Sequence, residues 1–137
     1  MSTTDDHVAI RALIMRAALA PDQGDLEEYR DIYTPDGSWA ISGKPADAGV
    51  DAIIAAAAGR REKKTSGPGS DTRHLVFPME ITIDGDSATG TTYLTLVGQA
   101  SGSPTIASFG VYTDSFVRTA AGWRIKDRVI TPEAFRK

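Results

Sequence analysis

A run of helices followed by a run of long antiparallel strands predicts an α+β fold, with the helices gathered on one face of a curved sheet. Three observations carry that expectation. Apolar residues in the first half recur at helical spacing, and those in the second half alternate at strand spacing. Glycines inside the strand-like segments, Gly90, Gly98 and Gly110, suit the bulges or bends that a curling sheet needs. The 137 residues make a single domain, residues 1–137, large enough to bury roughly two-thirds of its unfolded surface.

The first helix is expected from about Asp5 to Leu19, because Ile10, Leu13, Ile14 and Ala17 fall at i, i+3, i+4 and i+7. Pro21 and Gly24 end it. Asp25 caps a second, short helix with Glu28 as its capping-box partner and Leu26, Tyr29 and Tyr33 on its inner face. Thr34 to Gly37, "TPDG", reads as a turn and "SWAIS" as a short strand. A third, alanine-rich helix covers roughly Val50 to Arg60. The polar loop "EKKTSGPGSD", Glu62 to Asp71, follows, and the sequence leaves open whether it closes as a lid.

Leu75, Phe77, Met79, Ile81 and Ile83 then alternate along a strand that turns back at "DGD", Asp84 to Asp86. Strand "SATGTTYLTLVGQA", a "SGSP" turn, strand "TIASFGVYTDSFVRT", an "AAG" turn and strand "WRIKDRVI" complete the sheet.

Composition narrows the chemistry. With 41% hydrophobic and 24% charged residues and a net charge of −3, the chain has ordinary globular values. It contains no cysteine, which removes disulfides, thiolate metal sites and cysteine nucleophiles and fits a reducing, cytoplasmic setting. "MSTTDDHVAI" lacks the basic and apolar regions of a signal peptide, and no stretch approaches the roughly 20 apolar residues of a membrane span. The basic cluster Gly59 to Lys64, "GRREKK", reads as a solvated helix end, so neither nucleic acid nor membrane is expected as a partner.

The two histidines, His7 and His74, are too few and too far apart for a histidine zinc site. There is no HExxH, GxSxG, GxxxxGKS/T or GxGxxG pattern, so neither metal nor cofactor is expected. Acid–base chemistry remains. Histidine titrates near neutrality and serves as a base at pH 7. On its own, His74 at a strand start reads as structural or exposed, and Asp22 in "PDQGD" as part of a helix-ending loop. Each matters only if the fold joins them.

The order helix, "PDQGDLEEYRDIYTPDGSW", helix, "TRHLVFPMEITIDGD", strands, "GVYTDSFVRTAAGWRIKDRVI" resembles the SnoaL-like branch of the nuclear transport factor 2-like superfamily from about Asp5 to Thr131. The resemblance implies a cone, with a curved antiparallel sheet wrapped around three N-terminal helices and a deep apolar pocket. It also implies that Asp22 and His74 face that pocket as a dyad, as in scytalone dehydratase-like and hexachlorocyclohexane dehydrochlorinase-like members. There the carboxylate orients the imidazole, whose other nitrogen takes a proton from carbon. Arg128 matches an arginine that holds the leaving group in dehydrochlorinase-like members; the alternative is a pairing with Asp114 or Asp127 on the sheet surface. Trp39, Tyr33, Tyr93 and Tyr112 are candidates for the pocket wall, with ordinary core packing as the alternative.

The chain departs from that pattern in three places. Ala17 and Pro21 stand where dehydratase-like members carry polar groups, and no second strand histidine lies near Tyr93 or Gly98. Strict alternation also sets His74 opposite the apolar row, so a shared cavity requires a bulge, for which Pro78 is the natural place.

Three readings follow. The first is a lyase or isomerase (dehydratase-like or cyclase-like) acting on a small hydrophobic, cyclic or polyketide-like molecule. The second is a non-catalytic ligand-binding or assembly module of the same fold. The third, a ring-hydroxylating dioxygenase β subunit, is disfavoured by length. The open sheet face requires cover, so a homo-oligomer is expected, a dimer before a trimer, with Val111, Val117 and Ile125 as candidate contacts.

Overall fold

A computed structural model of the chain describes residues 2–133. Helix α1 spans Thr3–Gln23, a 3-10 helix Leu26–Asp31 and helix α2 Val50–Glu62. The strands are β1 (Tyr33–Ile41), β2 (Asp47–Ala48), β3 (Arg73–Asp84), β4 (Ser87–Gly98), β5 (Thr105–Thr119) and β6 (Gly122–Pro132). They form one six-stranded sheet in the order β2-β1-β6-β5-β4-β3. Every pairing is antiparallel except that of β1 with β6, which is parallel and which the hairpin pattern did not anticipate.

Helix α1 starts at a capping box between Ser2 and Asp5 and buries Ile10, Leu13, Ile14 and Ala17 along its stripe. It outruns its expected end and carries Pro21 in its last turn, stopping at Gly24, whose N–H donates to the Ala20 carbonyl. The continuation has a cause. The Arg61 guanidinium of α2 donates to the carbonyls of Ala20, Pro21 and Gly24, supplying partners at the helix terminus. Asp25 does cap the 3-10 helix, through the Glu27 N–H, but Glu28 pairs with Arg16 instead of completing a capping box. Tyr29 and Tyr33 stack at 6.1 Å. "TPDG" is absorbed into β1, as a register shift between Tyr33 and Ser38.

Two bulges decide what faces the helices. In β3 the register shifts between Pro78 and Glu80. His74 and Val76 are half-buried before the shift, and Ile81 and Ile83 after it. Leu75, Phe77 and Met79 are left outside, at 46%, 52% and 56% exposure, so the alternating row does not share one face. In β6 the shift falls where Phe116 follows Ser115, leaving Lys126 unmatched. Trp123, Ile125 and Arg128 are therefore all buried. This corrects the placement of Ile125 on the outer surface, since it is 0% exposed, while Val111 and Val117 are half-buried. Gly90 makes room for the inner layer: a Cβ there would sit 3.0 Å from the Phe116 ring. The core joins Ile10, Ile14, Ile32, Ile53, Phe116 and Ile125, each contributing about 1.5–3 kcal/mol by burial.

Candidate active site

Asp22 stands in the last turn of α1 and His74 is the second residue of β3, the edge strand of the sheet. The two meet across 52 positions of sequence, with His74 Nδ1 2.6 Å from Asp22 Oδ1. The His74 backbone N–H donates to Asp22 Oδ2 at 2.8 Å. One carboxylate thus grips both the ring and the edge-strand amide. An ionised carboxylate only accepts, so Nδ1 carries the hydrogen, and in the neutral ring that leaves the lone pair on Nε2. The side chains are 16% exposed for His74 and 4% for Asp22, so the pair is shielded without being sealed.

His74 lines a cavity of about 260 Å³ together with Tyr29, Tyr33, Trp39, Tyr112 and Arg128. Ala17 and Pro21 of α1 complete the wall beside it. Arg128 is 2% exposed and forms a two-bond pair with Asp114, Nε to Oδ1 at 2.8 Å and Nη2 to Oδ2 at 3.0 Å. Its guanidinium lies 3.9 Å from the Tyr112 ring centre. Of the alternatives for this arginine, the pairing is seen with Asp114, buried instead of on the sheet surface, and the guanidinium also lines the cavity. Asp127 faces the other way, accepting from the Ser38 and Ser115 hydroxyls.

Burial works against the charge on Arg128, yet the Asp114 carboxylate prevails and holds its pKa above the ordinary arginine value. Burial pushes the Tyr112 hydroxyl up to about 12 against the opposing pull of Arg128. Burial also raises Tyr29 and Tyr33. The phenols at the cavity therefore stay protonated at neutral pH and remain hydrogen-bond donors.

Tyr93 is the site candidate that the structure places elsewhere. It is 41% exposed and packs edge-on against Phe109 at 5.7 Å, because strand alternation turns its neighbours Thr92 and Leu94 inward. Sequence reasoning missed Arg60, which also lines the cavity, and Arg61, which holds the end of α1. "GRREKK" is thus more than a solvated helix end. The signal was present: Arg60 follows the buried Ile53 and Ala57 at i+7 and i+3, on the same face of α2. The loop after α2 also contributes, since Thr65 and Ser66 reach the wall and Ser66 is buried. Among the described residues there is no cluster of three or more His, Cys, Asp or Glu side chains placed to hold a metal ion, and no helix is long and apolar enough to cross a membrane.

Comparison with known proteins agrees with this architecture. The model of the SnoaL-like domain family matches residues 2–129. A nuclear transport factor 2-like protein with a cystatin-like fold from Novosphingobium aromaticivorans is 28% identical, with a TM-score of 0.86 over 97% of this chain and 85% of that one. A protein of unknown function with a cystatin-like fold from Nostoc punctiforme is 21% identical, with a TM-score of 0.83 over 96% and 93%. Aln2 from a Streptomyces species is 20% identical, with a TM-score of 0.81 over 96% and 94%. No curated protein sequence matches the chain.

Proposed function

Since the chain belongs to the SnoaL-like domain family, we propose that it is a small lyase or isomerase-type enzyme in which His74 acts as general base and Asp22 orients it. The observation that carries this reading is the 2.6 Å contact between Asp22 Oδ1 and His74 Nδ1, on a ring that lines an apolar cavity. His74 Nε2 removes a proton from a substrate carbon. The C–H electron pair then forms a carbon–carbon double bond, either as a leaving group departs with its own pair from the neighbouring carbon or as the π pair of an adjacent carbonyl moves onto its oxygen to give an enolate. Asp22 stabilises the imidazolium formed. The phenols of Tyr33 and Tyr112, with the Nη1 of Arg128 that Asp114 does not hold, supply donors to the oxygen or leaving group that gains electrons. Trp39 gives an apolar wall against a cyclic or polyketide-like substrate. A base held in this way contributes ~10²–10⁴ in rate. We place the enzyme in the cytoplasm on its cysteine-free composition.

The test is proton exchange. A panel of apolar cyclic ketones and β-hydroxy ketones is incubated in D₂O, with α-deuteration and water loss followed by NMR. Wild type is expected to accelerate one or both reactions and His74→Ala to lose the acceleration. Equal rates for the two proteins would defeat the reading.

One observation favours a second reading, a pocket that binds without turnover. Ala17 and Pro21 line the cavity where a substrate-activating polar side chain would otherwise stand. Panel members that bind wild type yet neither exchange nor react would support it.

The partner in either case is a second copy of the chain. Leu75, Phe77 and Met79 on the outer face of β3, with Tyr93 beside them on β4, form the apolar row that we propose a dimer covers. A monomer at micromolar concentration in analytical ultracentrifugation would contradict this.

A further inference from the structure

The other buried or half-buried arginines of the described structure have identifiable partners, whereas Arg11, which has none, lies exposed. Arg16, Arg30, Arg118 and Arg128 each pair with a carboxylate, and Arg61 is held by backbone carbonyls. Arg60 differs. It lines the same cavity as His74, it is half-buried, and among the described residues its guanidinium has no carboxylate partner. Its contact is with the Trp39 ring, at 5.3 Å from the ring centre. A second cation reaches the cavity in Arg128, but Asp114 already occupies its fork with two hydrogen bonds. The cavity wall therefore carries one cation that is answered and one that is not.

A half-desolvated guanidinium without a counter-charge is a binding feature for an anion, because its planar donors match a carboxylate and the charge has lost part of its hydration. The charge of Arg60 also acts on the three buried phenols, favouring ionisation at Tyr29, Tyr33 and Tyr112 against the effect of burial. At about 260 Å³ the cavity is smaller than the ~300–1,000 Å³ of pockets for drug-sized ligands, which limits the occupant to one or two fused rings.

We propose that Arg60, stacked on Trp39, is the recognition residue for a negatively charged oxygen group, so that the cavity takes small apolar acids in preference to neutral molecules of the same shape. This names the substrate class for the site described above. It rests on that reading for the chemistry that follows binding, and not for binding itself.

The experiment compares two probes of equal shape, 2-naphthoate and 2-naphthamide, by isothermal titration calorimetry at low ionic strength. Wild type is expected to bind the acid ~10–100-fold more tightly, the value of a hydrogen-bonded charge pair. Arg60→Gln is expected to erase that preference while leaving naphthamide affinity unchanged, which also shows that the cavity is intact. Arg60→Lys is expected to restore part of it, since the charge returns without the planar fork. His74→Ala is expected to keep the preference, which separates this proposal from the fate of the proton-transfer reading. An undiminished preference for the acid in Arg60→Gln, equal binding of the two probes by wild type, or failure of both to bind at millimolar concentration would each overturn the proposal.

Discussion

Helix α1 carries a buried aspartate near each end, and the two are used differently. Asp6 accepts two bonds from the Arg118 guanidinium at 2.7 and 2.8 Å and one from Trp123 Nε1 at 3.1 Å. Asp22 accepts one bond from the His74 ring at 2.6 Å and one from its amide at 2.8 Å. Both carboxylates are 4% exposed, and both tie the helix to the sheet. The partners make the difference. Arginine stays charged at every pH a protein meets, and Arg118 also lies over the Trp123 ring at 4.6 Å, so that end is a fixed latch. Histidine changes charge near neutrality, and its second nitrogen is left for something else. The same acid on the same helix thus anchors at one end and, in the proposed mechanism, orients a base at the other.

His74→Ala separates the two ends most strongly. Its expected effect is a rate loss of ~10²–10⁴ on any substrate that wild type turns over, with a thermal unfolding midpoint close to wild type. A large loss of stability with activity retained would mean that the two ends are both latches.

Asp22→Asn is expected to lose less rate than His74→Ala while lowering kcat much more than it raises KM, because the carboxylate acts on the imidazolium formed in the transition state. Asparagine keeps an oxygen for the His74 amide, so the edge strand stays in place. Equal losses in affinity and rate would argue against the orienting role.

At the other end, Asp6→Asn is expected to lower the unfolding midpoint at pH 7 and to leave turnover per folded molecule unchanged. An altered KM there would show that the latch reaches the site.

The smallest effect is in acid. Hydrogen bonds from Arg118 and Trp123 hold the Asp6 carboxyl at about 2, below its ordinary 3.8. A carboxyl depressed in the folded state stabilises the fold above the unfolded value, and that contribution is lost as pH falls towards the folded value. Wild-type stability should therefore decline between about pH 4 and pH 2, and Asp6→Asn should flatten that decline, as read from melting curves across the range.

Much of this was legible in the chain. The period of Ile10, Leu13, Ile14 and Ala17 located α1, and the conflict between His74 and its apolar neighbours required a bulge near Pro78, where the register does shift. The errors have physical causes. Tyr93 sits on a strand with large apolar residues on both faces, so period alone does not assign its side. Ile125 was misplaced because the extra residue Lys126 re-phases β6, and nothing in "WRIKDRVI" marks it. Arg60 and Arg61 were read by their charge, although both belong to the inward side of α2, one beside Trp39 and the other at the end of α1. The meeting of Asp22 with His74 depends on a long-range crossing that local patterns do not encode. Only the family resemblance suggested it.

In the proposed mechanism Asp22 fixes the His74 ring with its proton on Nδ1 and leaves Nε2 as the base. Nitrogen-15 NMR of the labelled imidazole tests it directly, because protonated and unprotonated ring nitrogens have well-separated shifts. Above the ring's titration, wild type should show a protonated Nδ1 and a bare Nε2, and Asp22→Asn should lose that bias. A His74 ring protonated on Nε2, or exchanging between tautomers like a free imidazole in wild type, would rule that mechanism out.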